Sequence, residues 1–190
     1  MKALLALSIL LALSWGAPSW GLTVEEAYQA VPHKRTPYDA QLSTLGPPER
    51  AFLSRFFVLS DQALVERVAT LQALRAGNRL PCERYEANIA RILTGLRLLQ
   101  EPASARGLVA ALSRAIEHQR AFFRKWNTAT AARRPFSFPA GEPQTGIDPS
   151  IRKASEELRR LYADLLSRYG TEHPHNREAF YQHLCALDFL

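Results

Sequence analysis

The chain has 190 residues, 47% of them apolar and only nine of them glycine, which fits one globular domain with a sizeable core and argues against a disordered polymer. Its 24 basic and 18 acidic residues give a formal charge of +6. The two signs are interspersed and no nucleic-acid-binding motif accompanies them, so nucleic acid is not an expected partner. Basic character of this size suits anionic partners such as phospholipid headgroups or acidic polysaccharide, although no motif supports contact with a membrane surface.

Lys2, the apolar run 3–13 and the small residues of GAPSWG follow the order of a secretory signal peptide. Ser19 and Gly21 suit the minus-three and minus-one positions, which predicts cleavage after Gly21 and export to the periplasm or beyond. The run falls short of the roughly 20 apolar residues that span a bilayer. Lys2 is the sole charged residue in 1–21, so the mature chain keeps +5. Residues 22–190 then form a single domain.

LTVEEAYQAV opens that domain with a capping box, Thr23 and Glu26, and a short helix to about Val31. Pro32 and Pro37 force an extended segment up to Pro47 and Pro48, which start the next helix. From Pro48 to about Ala76, Leu53, Phe56, Phe57, Leu64, Val68, Leu71 and Leu74 recur at helical spacing, with Gly77 and Asn78 as a stop. Residues 81–100 carry a stripe of Tyr85, Ile89, Ile92, Leu96 and Leu99. Residues 104–130 repeat it with Leu108, Leu112, Ala115, Phe122 and Trp126. The connection 133–149, with four prolines, predicts an irregular loop whose Phe136 and Phe138 lie over the bundle. Asp148 and Pro149 open a helix to about Tyr169, and Asn176 is expected to cap a last short helix packed by Phe180, Leu184 and Leu187. These patterns predict an all-α fold: an up-down four-helix bundle with a short N-terminal helix and a C-terminal helix packed on it.

Three groups of residues could carry function. Cys82 and Cys185, an even pair in an exported chain without CxxC spacing, predict a disulfide that staples the last helix to the second long one. His173, His175 and His183 are three imidazoles near one end. Spacing opposes a single metal site, because His183 lies about 12 Å along the helix from His175 at ~1.5 Å per residue. His183 reads instead as a packed histidine. The segment HKRTPYD offers His33, Lys34 and Arg35 to an anion, with Tyr38 and Asp39 to orient it; the competing reading is a strap that crosses the bundle.

No G-x-S-x-G, P-loop, dinucleotide glycine pattern, H-E-x-x-H or EF-hand loop is present. No cofactor is predicted. Haem or a divalent metal on histidines, His33 and His118 included, is the alternative, although C-x-x-C-H is absent and the sole methionine is Met1. The reading is an exported, non-enzymatic bundle that binds an unidentified protein or small, anionic ligand through the 33–39 strap and the 133–147 loop.

Overall fold

The computed structural model describes residues 22–76, 81–132 and 148–189. The expected signal peptide, the stop at Gly77 and Asn78, and the loop with Phe136 and Phe138 lie outside the described residues. Among the described residues six helices pack together and there is no strand.

Helix α1 (Val24–Gln29) begins as its spacing predicts. Thr23 Oγ1 accepts from the Glu26 amide at 3.2 Å, and Glu26 Oε2 accepts from the Thr23 amide at 2.7 Å. Helix α2 (Pro47–Arg75) starts on its two prolines, whose missing amides would be orphans there in any case. Its sequence reads as an amphipathic helix, yet every residue from Ala63 to Leu71 is buried, as are Ser60 and Asp61. The reason is that α1, α3 and α6 all pack on α2, with α4 touching it as well. Over that stretch α2 is enclosed on every side and has no solvent stripe, although Arg55 and Val58 nearer its start are exposed. Glu66, Arg67 and Thr70 are therefore interior residues.

Helix α3 (Pro81–Arg97) lies close to α2 at Gly95, where an added Cβ would come within 3.0 Å of the Leu59 side chain. Helix α4 (Leu108–Ala131) starts four residues later than its periodicity suggests. Gly107 has a φ of 93°, a left-handed conformation open to glycine, and it separates α4 from a 3-10 turn over Ala103–Ala105. The Glu101 carboxylate accepts from the amides of Gly107 (3.1 Å) and Val109 (2.6 Å), so a side chain from outside the helix satisfies its first donors. Helix α5 (Pro149–Arg168) is capped by Asp148, which accepts from the Ser150 amide at 2.8 Å; Ile151, Ala154, Leu158, Leu161 and Leu165 form its buried stripe.

Helix α6 (Pro174–Asp188) is capped by His173, not by Asn176: the His173 Nδ1 accepts from the His175 amide at 3.2 Å. Asn176 lies one turn inside, fully buried, with its amide committed elsewhere. Helix α6 packs on both α5 and α2, and the chain of neighbours α2–α3–α4–α5–α6 thereby returns to α2. Phe180, Leu184 and Leu187 are all in the core, with the Phe180 ring stacked 5.5 Å from Phe57.

The expected Cys82–Cys185 disulfide is not formed. Both are free thiols too far apart to bond. Helix α3 packs on α2 and α4, whereas α6 packs on α2 and α5, so the two cysteines sit on helices with no extended contact. Burial pushes both thiols up, which keeps them protonated and weakly nucleophilic. No helix among the described residues is long and apolar enough to cross a membrane.

Candidate functional site

The residues singled out at both ends of the chain converge on one place: the extended strap between α1 and α2, and the start of α6 beneath it. Asn176 clasps the strap backbone with both ends of its amide. The Asp39 N–H donates to Asn176 Oδ1 and the Asn176 Nδ2 donates to the Asp39 carbonyl, each at 2.9 Å. His175 Nε2 lies 3.0 Å from the Pro37 carbonyl oxygen. Further along, the Glu172 carboxylate accepts from the amides of Thr44 (2.8 Å) and His173 (2.7 Å) and from the Ser43 hydroxyl, with Tyr38 Oη at 3.4 Å. Tyr38 closes the strap from within, its ring against both Phe57 and Phe180 at 5.9 and 6.2 Å. Burial pushes its phenol up to about 12, so at neutral pH the hydroxyl is a donor.

Burial alone would raise the Glu172 carboxyl, but the hydrogen bonds from Ser43, Thr44 and His173 outweigh it and hold the group below the ordinary carboxylate value. A depressed folded value stabilises the fold fully above the unfolded pKa, 4.5 for a glutamate, and is lost as pH falls through the folded one. Glu172→Gln is expected to cost about 1–2 kcal/mol at neutral pH and to flatten the acid limb of the stability profile below that value. Urea titrations of both proteins across the acid range check this; superimposable acid limbs would refute the role of Glu172.

The second cluster is interior. Asp61 Oδ1 lies 2.7 Å from His183 Nδ1 and accepts from Tyr28 Oη at 3.0 Å, while Oδ2 accepts from Arg35 at 3.3 Å. Tyr28 and His183 also approach at 3.1 Å. Burial, and then the Asp61 charge, push the Tyr28 phenol up, so its proton stays in place as a donor. Arg35 continues outward to Glu25. Four segments meet here: α1, the strap, α2 and α6. An Asp–His pair is also the back half of a nucleophile triad. Here the ring is 2% exposed and stacked 4.7 Å from Phe57, and Nε2, where a triad places its nucleophile, has no hydrogen-bond partner among the described residues.

Of the five strap candidates, Tyr38, Asp39 and Arg35 thus bind the strap to the bundle. His33 is half-buried with its ring 6.4 Å from Phe189, and Lys34 is exposed. His173, His175 and His183 have separate partners: a helix start, a strap carbonyl and the Asp61 cluster. Among the described residues no group of three or more His, Cys, Asp or Glu could hold a metal, so the three histidines do not assemble into a site. His118 is half-buried on α4. A surface pocket of about 430 Å³ near the end of α4 is lined by Arg124, Lys125, Thr128, Ala129 and Ala132, with the two cations engaged by Glu86 and Asp148.

Sequence reasoning missed Tyr28, Asp61 and Glu172, and gave Asn176 the role of a helix cap in place of the strap clasp it forms. Asp61 carried a signal, being an acid four residues after Phe57 and three before Leu64, in line with the apolar stripe of α2. No protein family matches the chain, and neither a curated protein nor a solved structure resembles it significantly.

Proposed function

We propose that this is an exported helical-bundle protein that acts by binding rather than by catalysis, and that it takes a small anionic ligand or an anionic group of a partner at the outer edge of the strap. The carrying observation is that His175 and Asn176 of α6 fix the strap at Pro37 and Asp39, and Glu172 in the turn before α6 fixes it at Thr44, while Lys34 and one side of His33 stay in contact with solvent. A loop already held by its scaffold gives up little conformational entropy when it binds, and that is where functional residues concentrate. The enclosed Asp61–His183 pair supports the non-catalytic reading. The signal-peptide pattern at 1–21 supports export.

The bundle itself is read as up-down through its four long helices. Gly95 near the end of α3 faces Leu59 in the first half of α2, and Glu86 near the start of α3 pairs with Arg120 and Arg124 late in α4. Lys125 near the end of α4 then pairs with Asp148 at the start of α5.

Titration of the mature chain with inorganic phosphate, followed by amide NMR, tests the strap. The expected result is shifts confined to residues 33–39 and the end of α6, abolished in His33→Ala/Lys34→Ala with melting unchanged. Strap resonances that ignore phosphate, or respond equally in the double variant, would rule the site out.

A further inference from the structure

The solvent face of α5 carries a charge pattern that the strap does not explain. Arg152, Lys153, Arg159 and Arg160 are all exposed, and Glu156 is the only exposed carboxylate among residues 152–160. Arg159 and Arg160 keep 78% and 71% of their side-chain surface open. Their ion pairs are long: 4.0 Å from Arg159 to Asp188, and 3.6 and 3.9 Å from Arg160 to Glu156 and Glu157. Arg152 and Lys153 form no ion pair among the described residues. The four cations fall within about 12 Å of helix axis at ~1.5 Å per residue. That is about one and a half times the Debye length of about 8 Å at physiological ionic strength, so neighbouring cations act on a facing charge together.

We propose that this face docks reversibly on an anionic phospholipid bilayer. The pattern fits a plane better than a strand: the cations flank the outward surface of one helix, Arg152 and Arg159 on the side of α6, where Arg159 meets Asp188, and Lys153 and Arg160 on the side of α4, where Glu157 meets Arg114. At the α6 flank, Tyr162 and Tyr181 form an edge-to-face pair at 5.6 Å, and Tyr181 is 39% exposed. Tyrosines with an apolar ring and a polar tip suit the headgroup layer. No large apolar side chain of α5 is exposed, so contact stays peripheral, made by charge with tyrosine at one edge. Each such cation contributes severalfold to partition onto an anionic leaflet.

Co-sedimentation of the mature chain with phosphatidylglycerol–phosphatidylcholine vesicles tests the proposal. Binding at low salt that weakens with added salt is expected, with none to phosphatidylcholine alone. Arg152→Gln/Lys153→Gln/Arg159→Gln/Arg160→Gln should lose more than about tenfold in partition, with its circular dichroism intact. A second variant with the same change in net charge, Arg55→Gln/Arg84→Gln/Arg91→Gln/Arg97→Gln, should bind like the parent. Equal losses in both variants would mean that net charge alone acts, and would overturn the assignment. So would absence of binding to the anionic vesicles, or retention on a sulfated polysaccharide resin in place of vesicles. The strap residues take no part, so His33→Ala/Lys34→Ala should sediment unchanged, and its failure to do so would move the site to the strap.

Discussion

Asp61→Ala is expected to lower the stability of the protein by about 3 kcal/mol, within the range for removing one partner of a buried ionic cluster. The carboxylate is the acceptor on which Tyr28, His183 and Arg35 converge, and its side chain is 7% exposed. Without it, two buried donors lose their acceptor, at roughly 1–3 kcal/mol each. Two compensations cap the loss. Tyr28 and His183 are already 3.1 Å apart and can bond each other, and Arg35 keeps Glu25. The Arg35 contact adds little of its own, because that side chain is 31% exposed and solvent screens it. Asp61→Asn keeps one acceptor oxygen and should lose about half as much. For a domain of this size 3 kcal/mol is a fall of roughly 6–12 °C in melting temperature, read by circular dichroism. An alanine variant that melts within a degree or two of the parent would show that the cluster is an incidental polar contact.

The same cluster explains which features were legible in the sequence. Helix starts written in neighbouring residues could be read directly: Thr23 with Glu26, and Asp148 beside Pro149, satisfy local orphan amides, and the prolines at 47 and 48 remove theirs. Starts that depend on distant partners could not. Asn176 has the composition of a cap, yet its amide serves a backbone 137 residues earlier, and His173 takes the capping position in its place. Gly107 reads as an ordinary residue of a helical pattern until its positive φ is known. Cysteine parity carries no distance information, so the Cys82–Cys185 bond had chemistry behind it and no geometry. Within α2 the apolar spacing was correct, but Glu66 and Arg67 look like the rim of a solvent face. Their burial follows from what α1 and α6 bring to them, which the periodicity of α2 alone does not contain.

Arg67→Ala should be the second severe substitution, at about 3–5 kcal/mol. A helix leaves its last carbonyls without intrahelical donors, and water usually serves them. At the end of α6 this is ruled out, because Ala186 and Leu187 are fully buried. Arg67 supplies the donors from inside α2: its guanidinium bonds the Leu187 carbonyl and reaches that of Ala186 at 3.5 Å, while Gln119 Nε2 donates to Leu187 from α4 at 2.7 Å. Burial lowers the guanidinium to about 10, so the group is still charged at neutral pH, and a cation at a helix C-terminus is stabilised by the helix dipole. Arg67→Met separates packing from bonding. It fills most of the volume, leaves Gln119 to serve Leu187 and strands the Ala186 carbonyl, so it should cost only about 1–2 kcal/mol. The effect should also be local. Hydrogen exchange of the amides near Cys185 and Phe189 should accelerate in Arg67→Ala by more than its global stability requires, whereas Asp61→Ala should loosen α1 and the strap first. If both variants raise exchange uniformly, α6 is not held at two independent points, and the last helix unfolds only with the whole domain.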